Sequence, residues 1–104
     1  MTTVIILKSH GYIKSVELIG HANYASSGPD IVCAAISMAT HMTILGLEEV
    51  ARAKFTSNCE FEGYMKIEVD EPFNDRVDTL MKTLELALST LSSQYPENIQ
   101  IYSC

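Results

Sequence analysis

Residues 74–95 read NDRVDTLMKTLELALSTLSSQY, and their apolar positions decide what kind of fold the chain can adopt. Val77, Leu80, Met81, Leu84, Leu88 and Leu91 follow the i, i+3, i+4, i+7 spacing that lines up side chains on one stripe of an α-helix. A helix that is apolar on one side only has to bury that side against another layer. Pro96 and Asn98 stop it, and IQIYS (99–103) reads as a short closing strand.

The other layer is written upstream. TTVIILKS (2–9) and YIKSVELIG (12–20) are β-rich runs separated by His10-Gly11, which predicts a hairpin over about 2–19. Residues 52–61 and 64–70 predict a second strand pair around Glu62-Gly63, with YMKIEVD alternating along 64–70. Between the pairs, ANYASSGP (22–29) has loop composition. Asp30 is then a good N-cap for a helix over IVCAAISMATHMTILGLEEV (31–50), whose one weak point is Gly46. The order ββαββαβ predicts an α+β fold, a two-layer α/β sandwich with both helices on one face of a largely antiparallel sheet. A chain of 104 residues with 47% apolar content suits one domain spanning 1–104 with a single core.

The first helix carries no Asp, Glu, Lys or Arg from Ile31 to Leu47. Projected at helical spacing, Ile31, Ala34, Ala35, Met38, Met42 and Leu45 share a face that is expected to lie on the sheet. Cys33, Ser37, Thr40 and Ile44 fall on the other side. Met38, Met42 and Met81 are read as core fillers. A helix without a charged face is usually covered on both sides, and a small domain has few elements to do this, so a homodimer is expected. The run is short for a membrane span and is interrupted by Ser37, Thr40, His41 and Thr43, so no membrane partner is expected.

Thirteen acidic against seven basic residues give a net charge of -6, which argues against nucleic-acid binding through phosphates and favours basic partners. MTTVIILKSHGYIK (1–14) lacks the basic start, long apolar centre and cleavage site of a secretory signal, so a cytoplasmic location is expected. Cys33, Cys59 and Cys104 form no CxxC pair, which points to free thiols rather than a disulfide framework or a zinc site.

Candidate chemistry concentrates in GHANYASSGPDIVCAAIS (20–37). With Asp30 as N-cap, Cys33 sits in the first helical turn, close to unpaired backbone N–H groups and the positive helix end, a setting that favours thiolate. The same N–H groups are candidates for binding an oxyanion. His21, just past a strand end, is the natural base. His41 lies eight residues on, about 12 Å along the helix axis, and His10 sits in the hairpin turn. Asp30 has two readings, capping the helix or orienting His21, and a carboxylate there would itself oppose thiolate formation. Ser37, one turn beyond Cys33, either bonds within the site or returns its hydroxyl to a carbonyl one turn back. Gly20 and Gly28 bracket the loop as hinges or as ordinary turn residues. Against all of this stands a bland alternative: free cysteine is among the most buried residue types, and Cys33 can be packing alone. Cys59 and Cys104 have no comparable setting and are expected to pack or lie near a terminus.

The run G-H-A, a short Ser/Gly loop and D-I-V-C-A-A-I-S resembles the ribosomal-processing cysteine protease family, often called Prp. The resemblance extends over essentially the whole chain and implies a small homodimeric α/β enzyme. It implies Cys33 as nucleophile and His21 as general base, with Gly20, Asp30 and Ser37 as supporting or substrate-binding positions and no metal or organic cofactor. It also implies a substrate, the N-terminal extension of a large-subunit ribosomal protein, and a loop from Ala22 to Pro29 that closes over an extended peptide. The alternative from another class is a noncatalytic ribosome-associated module whose uncharged helix binds a partner and whose cysteine is structural.

Overall fold

The two hairpins and the closing strand join into one five-stranded sheet in the computed structural model, which describes residues 1–25 and 30–104. The expected loop residues 26–29, Gly28 among them, lie outside the described residues. Strands β1 (Thr2–Ser9) and β2 (Tyr12–Ile19) form the first hairpin, followed by helix α1 (Ile31–Leu45). Strands β3 (Phe55–Asn58) and β4 (Tyr64–Val69) form the second, followed by α2 (Asp75–Gln94) and β5 (Ile99–Ser103). The sheet order is β3-β4-β2-β1-β5, with β5 parallel to β1 and the other pairs antiparallel. This is the predicted ββαββαβ α+β fold, although β3 is shorter than the run 52–61 suggested.

Helix α1 does not stop at Gly46. The chain continues through a π-helical turn over Gly46–Val50, closed by the Ala51 N–H donating to the Gly46 carbonyl at 2.8 Å. The weak point in the helical pattern is thus a change of helix type.

Val4, Ile6, Val16, Leu18, Ile67 and Ile99 of the sheet meet Val32, Ile36, Leu47, Val77, Met81 and Leu88 in one core, all nearly inaccessible to solvent. Burying side chains of this size stabilises the fold by roughly 1.5–3 kcal/mol each, before the entropy of ordering the chain is set against it. In β2 the register slips between Leu7 and Lys8, so that Ser15 pairs with Leu7 and Ile13 with Lys8. The extra residue, Lys14, lets Ile13 and Val16 both face the core although they are three apart. The Ile13 N–H donates instead to Asp78 Oδ1 on α2 at 2.8 Å, and Lys82 bridges Asp78 Oδ2 to the Gly11 carbonyl. Hairpin and helix are pinned together there.

The structure turns α1 the other way from the helical projection. Val32, Ile36, Thr40, Thr43 and, beyond Gly46, Leu47 are buried, with Cys33 and Ile44 packed partly against the core. Ile31, Met38, Met42 and Leu45 are exposed by 56, 54, 63 and 57%. Met81 is a core filler, but Met38 and Met42 are not. The physical reason is that both sides of α1 are uncharged, so apolarity does not choose between them. The buried threonines return their hydroxyls to the carbonyls of Ile36 and Ala39 at 2.8 and 2.9 Å and enter the interior with their polarity satisfied.

Candidate active site

The site grows from the point where β2 ends. Gly20 adopts φ +90°, and a Cβ there would stand 2.6 Å from the Met1 carbonyl oxygen, so only glycine fits. Its N–H donates to the Gly63 carbonyl at 2.7 Å, and its own carbonyl accepts from the Thr2 hydroxyl at 3.1 Å. The next residue, His21, therefore leaves the sheet from a fixed anchor. The ring lies over Gly63, where a Cβ would come within 3.2 Å of Nε2, and Nε2 stands 4.0 Å from an exposed Glu62 carboxylate.

From His21 the chain turns inward and back. Ala22 is buried, and its carbonyl accepts from the Asn98 side-chain amide at 3.0 Å. Asn23 takes the left-handed conformation, φ +57°, which aims the next N–H groups at Asp30. Tyr24 and Ala25 donate to Asp30 Oδ2 at 3.0 and 3.3 Å, while the Tyr24 ring packs edge-on against Tyr95 at 5.3 Å.

Asp30 caps α1. Its Oδ1 accepts from the N–H groups of Val32 and Cys33 at 3.0 and 2.9 Å, so one carboxylate holds the helix start and the returning loop together. Among the described residues four backbone N–H groups donate to it, and none of its hydrogen bonds goes to His21. The Cys33 N–H, above all, holds the carboxyl below the usual aspartate range; burial works against this, and the Ala25 and Tyr24 N–H groups add to it.

This cap overturns one expectation. The N–H groups of Val32 and Cys33 are taken by Asp30 Oδ1, and that of Ala34 by the Asp30 carbonyl at 3.1 Å. The helix end keeps its dipole but has no free N–H at Cys33 for an oxyanion. The sulfur is met instead by the Ala22 N–H at 3.4 Å.

Cys33 is half-buried and borders a cleft of about 470 Å³ shared with His21, Asn23, Asp30, Ser37 and Glu62. A more apolar groove of about 300 Å³ continues past His21 and Cys33 over Leu18, Ile36, Cys59 and Met65. The structure thus brings His21 and Cys33 to the same two hollows without a hydrogen bond between them, a spacing that substrate binding commonly tightens. Ser37 borders both hollows; its hydroxyl lies 3.3 Å from Nδ1 of His41, which also sits 2.8 Å from the Ser37 carbonyl, and among the described residues it does not return to a carbonyl one turn back. His10 is exposed in the hairpin turn beside the Ser9 hydroxyl. Cys59 and Cys104 do not pack but are exposed, Cys104 at the chain's end. Among the described residues no three metal-ligating side chains converge.

Four contributors escaped sequence reasoning: Ala22, Glu62, Gly63 and Asn98. The Glu62-Gly63 turn was legible only as a turn. Asn98 was read as a helix breaker, and nothing in its neighbourhood hints at a contact 76 residues away.

Comparison with known proteins agrees with this fold. The family model of cysteine protease Prp matches residues 1–100. The ribosomal processing cysteine protease Prp of Staphylococcus aureus is 29% identical over 105 residues, taking in 97% of this chain and 96% of the relative. A crystal structure of the essential ribosomal processing protease Prp from S. aureus, with a covalently linked product peptide, superposes with a TM-score of 0.94 at 26% identity over all of both chains. The same protease with a substrate peptide gives 0.88 at 25% identity, again over the full length of both.

Proposed function

The chain belongs to the cysteine protease Prp family, and on that premise we propose that it is an endopeptidase with Cys33 as nucleophile and His21 as general base. Its substrate in this reading is the N-terminal extension of a large-subunit ribosomal protein. The observation that carries the assignment is the opening of His21 and Cys33 onto one cleft at the capped start of α1.

The chemistry follows from those atoms. The Cys33 sulfur attacks the scissile carbonyl carbon, forming an S–C bond as the carbonyl π pair moves to oxygen. Protonated His21 gives its proton to the departing amine as the C–N bond breaks, leaving a thioester. Neutral His21 then takes a proton from water, whose hydroxyl displaces the sulfur and frees the new carboxylate. Gly20 anchors the strand end that delivers His21, Asp30 holds the helix start and loop, and Ser37 borders the cleft. The Cys33 sulfur stands in the first turn of α1, beside the Asp30 cap and in contact with the Ala22 N–H at 3.4 Å.

A ribosomal substrate would place the reaction in the cytoplasm, and its basic character suits an enzyme of net charge -6. The same reading includes a homodimer through the exposed face of α1, Ile31, Met38, Met42 and Leu45, which carries no charge to oppose a second copy. Incubation with the ribosomal precursor, followed by mass spectrometry of the product's new N-terminus, tests activity and bond choice together. One discrete shortened product supports the reading, and an uncut precursor under conditions where the enzyme is folded contradicts it.

A further inference from the structure

Attack on a peptide carbonyl creates an oxygen anion, and an enzyme that gains rate from this step has donors waiting where that anion forms. At the start of α1 the expected donors are occupied, since the N–H groups of Val32, Cys33 and Ala34 all serve Asp30. The one backbone N–H in hydrogen-bond contact with the Cys33 sulfur among the described residues comes from the segment that follows β2, from buried Ala22 at 3.4 Å. Resting on the assignment of Cys33 as nucleophile, we propose that the Ala22 N–H is the oxyanion donor of this protease and that Asn98 is the residue that positions it.

The geometry is that of a donor that changes partners. In the resting enzyme the N–H donates to the sulfur. Once the S–C bond forms, the charge moves to an oxygen within ~3 Å of that sulfur, inside the ~2.7–3.1 Å reach of a donor that already contacts it. The hydrogen bond passes from sulfur to oxygen as the charge does. On collapse the carbonyl re-forms, the C–N bond breaks with the proton from His21, and the donor is released.

What makes such a donor effective is that it does not have to reorganise. Ala22 is held on three sides: its methyl is buried in the core, it follows the anchored Gly20-His21 exit, and its carbonyl accepts the Asn98 amide at 3.0 Å. Asn98 is itself fixed at the entrance to β5, with its N–H donating to the Tyr95 carbonyl and its carbonyl accepting from the Thr2 N–H, both at 2.9 Å. A side chain from the turn before the C-terminal strand thus fixes, among the described residues, the loop residue whose N–H meets the Cys33 sulfur.

Chemical ligation at Cys33 allows the full chain to be assembled with lactic acid in place of Ala22, which exchanges the N–H for an ester oxygen and keeps the methyl. The expected result is a kcat lower by about 10²–10³-fold, a KM within a few-fold of the parent, and a pH profile of Cys33 alkylation by iodoacetamide shifted to higher pH. Asn98→Asp keeps the side-chain shape without the donor and is expected to lower kcat about 10-fold or more, with the same shift in the alkylation profile and little change in KM. If the ester chain does not fold, Asn98→Asp decides the matter. Parent-like kcat and alkylation profile in either folded protein overturn the inference. Full activity in Cys33→Ala would instead remove the underlying assignment, so the two failures are distinct.

Discussion

Helix α2 and the first turns of α1 lie on the same sheet but obey different rules. In α2 the stripe Val77, Met81, Leu84 and Leu88 is buried, with Leu80 and Leu91 half-buried at its edges, and packing explains each position. At the start of α1 a buried carboxylate binds four backbone N–H groups, Cys33 stays half-buried at the cleft, and Ile31 faces solvent. The first region is organised to fill volume and the second to hold groups at fixed positions around an open space. Regions of the second kind break local packing rules because the cleft needs groups that a core would exclude.

The sharpest way to separate the two regions is to damage each and ask what is lost. Cys33→Ala is expected to lower kcat/KM by at least ~10⁴-fold, and His21→Ala by about 10²–10⁴-fold, with circular-dichroism melts close to the parent's in both. Loss of fold in either variant would erase the contrast. Leu88→Ala, in the fully buried stripe of α2, is expected to do the reverse: a loss of about 2–5 kcal/mol in urea unfolding, with kcat per folded molecule unchanged.

Gly20→Ala probes the junction between the regions. With φ at +90° and a Cβ 2.6 Å from the Met1 oxygen, it is expected to cost about 1–3 kcal/mol of stability and to lower kcat, because His21 leaves from that anchor. A stable Gly20→Ala enzyme of full activity would show that the anchor does not set the ring.

Asp30 sharpens the comparison through pH. Its carboxyl is depressed in the folded state, so its contribution to stability is complete above the ordinary aspartate value of about 3.9 and fades as pH falls through the depressed value. Urea midpoints measured from pH 7 down to 2 are expected to fall less steeply in Asp30→Asn than in the parent. Parallel curves would mean that the cap is not felt as charge. The smallest effect on folding belongs to exposed Met42: Met42→Glu should change folding free energy by under ~0.5 kcal/mol and yet move the sedimentation of the proposed dimer towards monomer.

These regions were also unequally legible in the sequence. The amphipathic stripe of α2 and the two strand pairs could be read because burial repeats at the period of the element. The candidate site residues Gly20, His21, Asp30 and Cys33 were legible as a local cluster, since turn, cap and helix start are all short-range events. The covered face of α1 was not, because its two sides are almost equally apolar and two buried threonines look polar until their hydroxyls are seen bonded to the helix. The occupied N–H groups at Cys33 were hidden for a related reason: a cap and an anion site draw on the same donors, and only geometry tells which has them. Asn98 and Gly63 act across the sheet, where sequence distance carries no signal.

The central claim, that the Cys33 sulfur forms the bond to the peptide, is open to a single direct measurement. Acid-quenched single-turnover reaction with a peptide spanning the cleavage site, followed by intact mass and peptide mapping, should find the N-terminal fragment attached as a thioester to Cys33. Product forming at the parent rate in Cys33→Ala, or the acyl mass mapping to another residue, would contradict it.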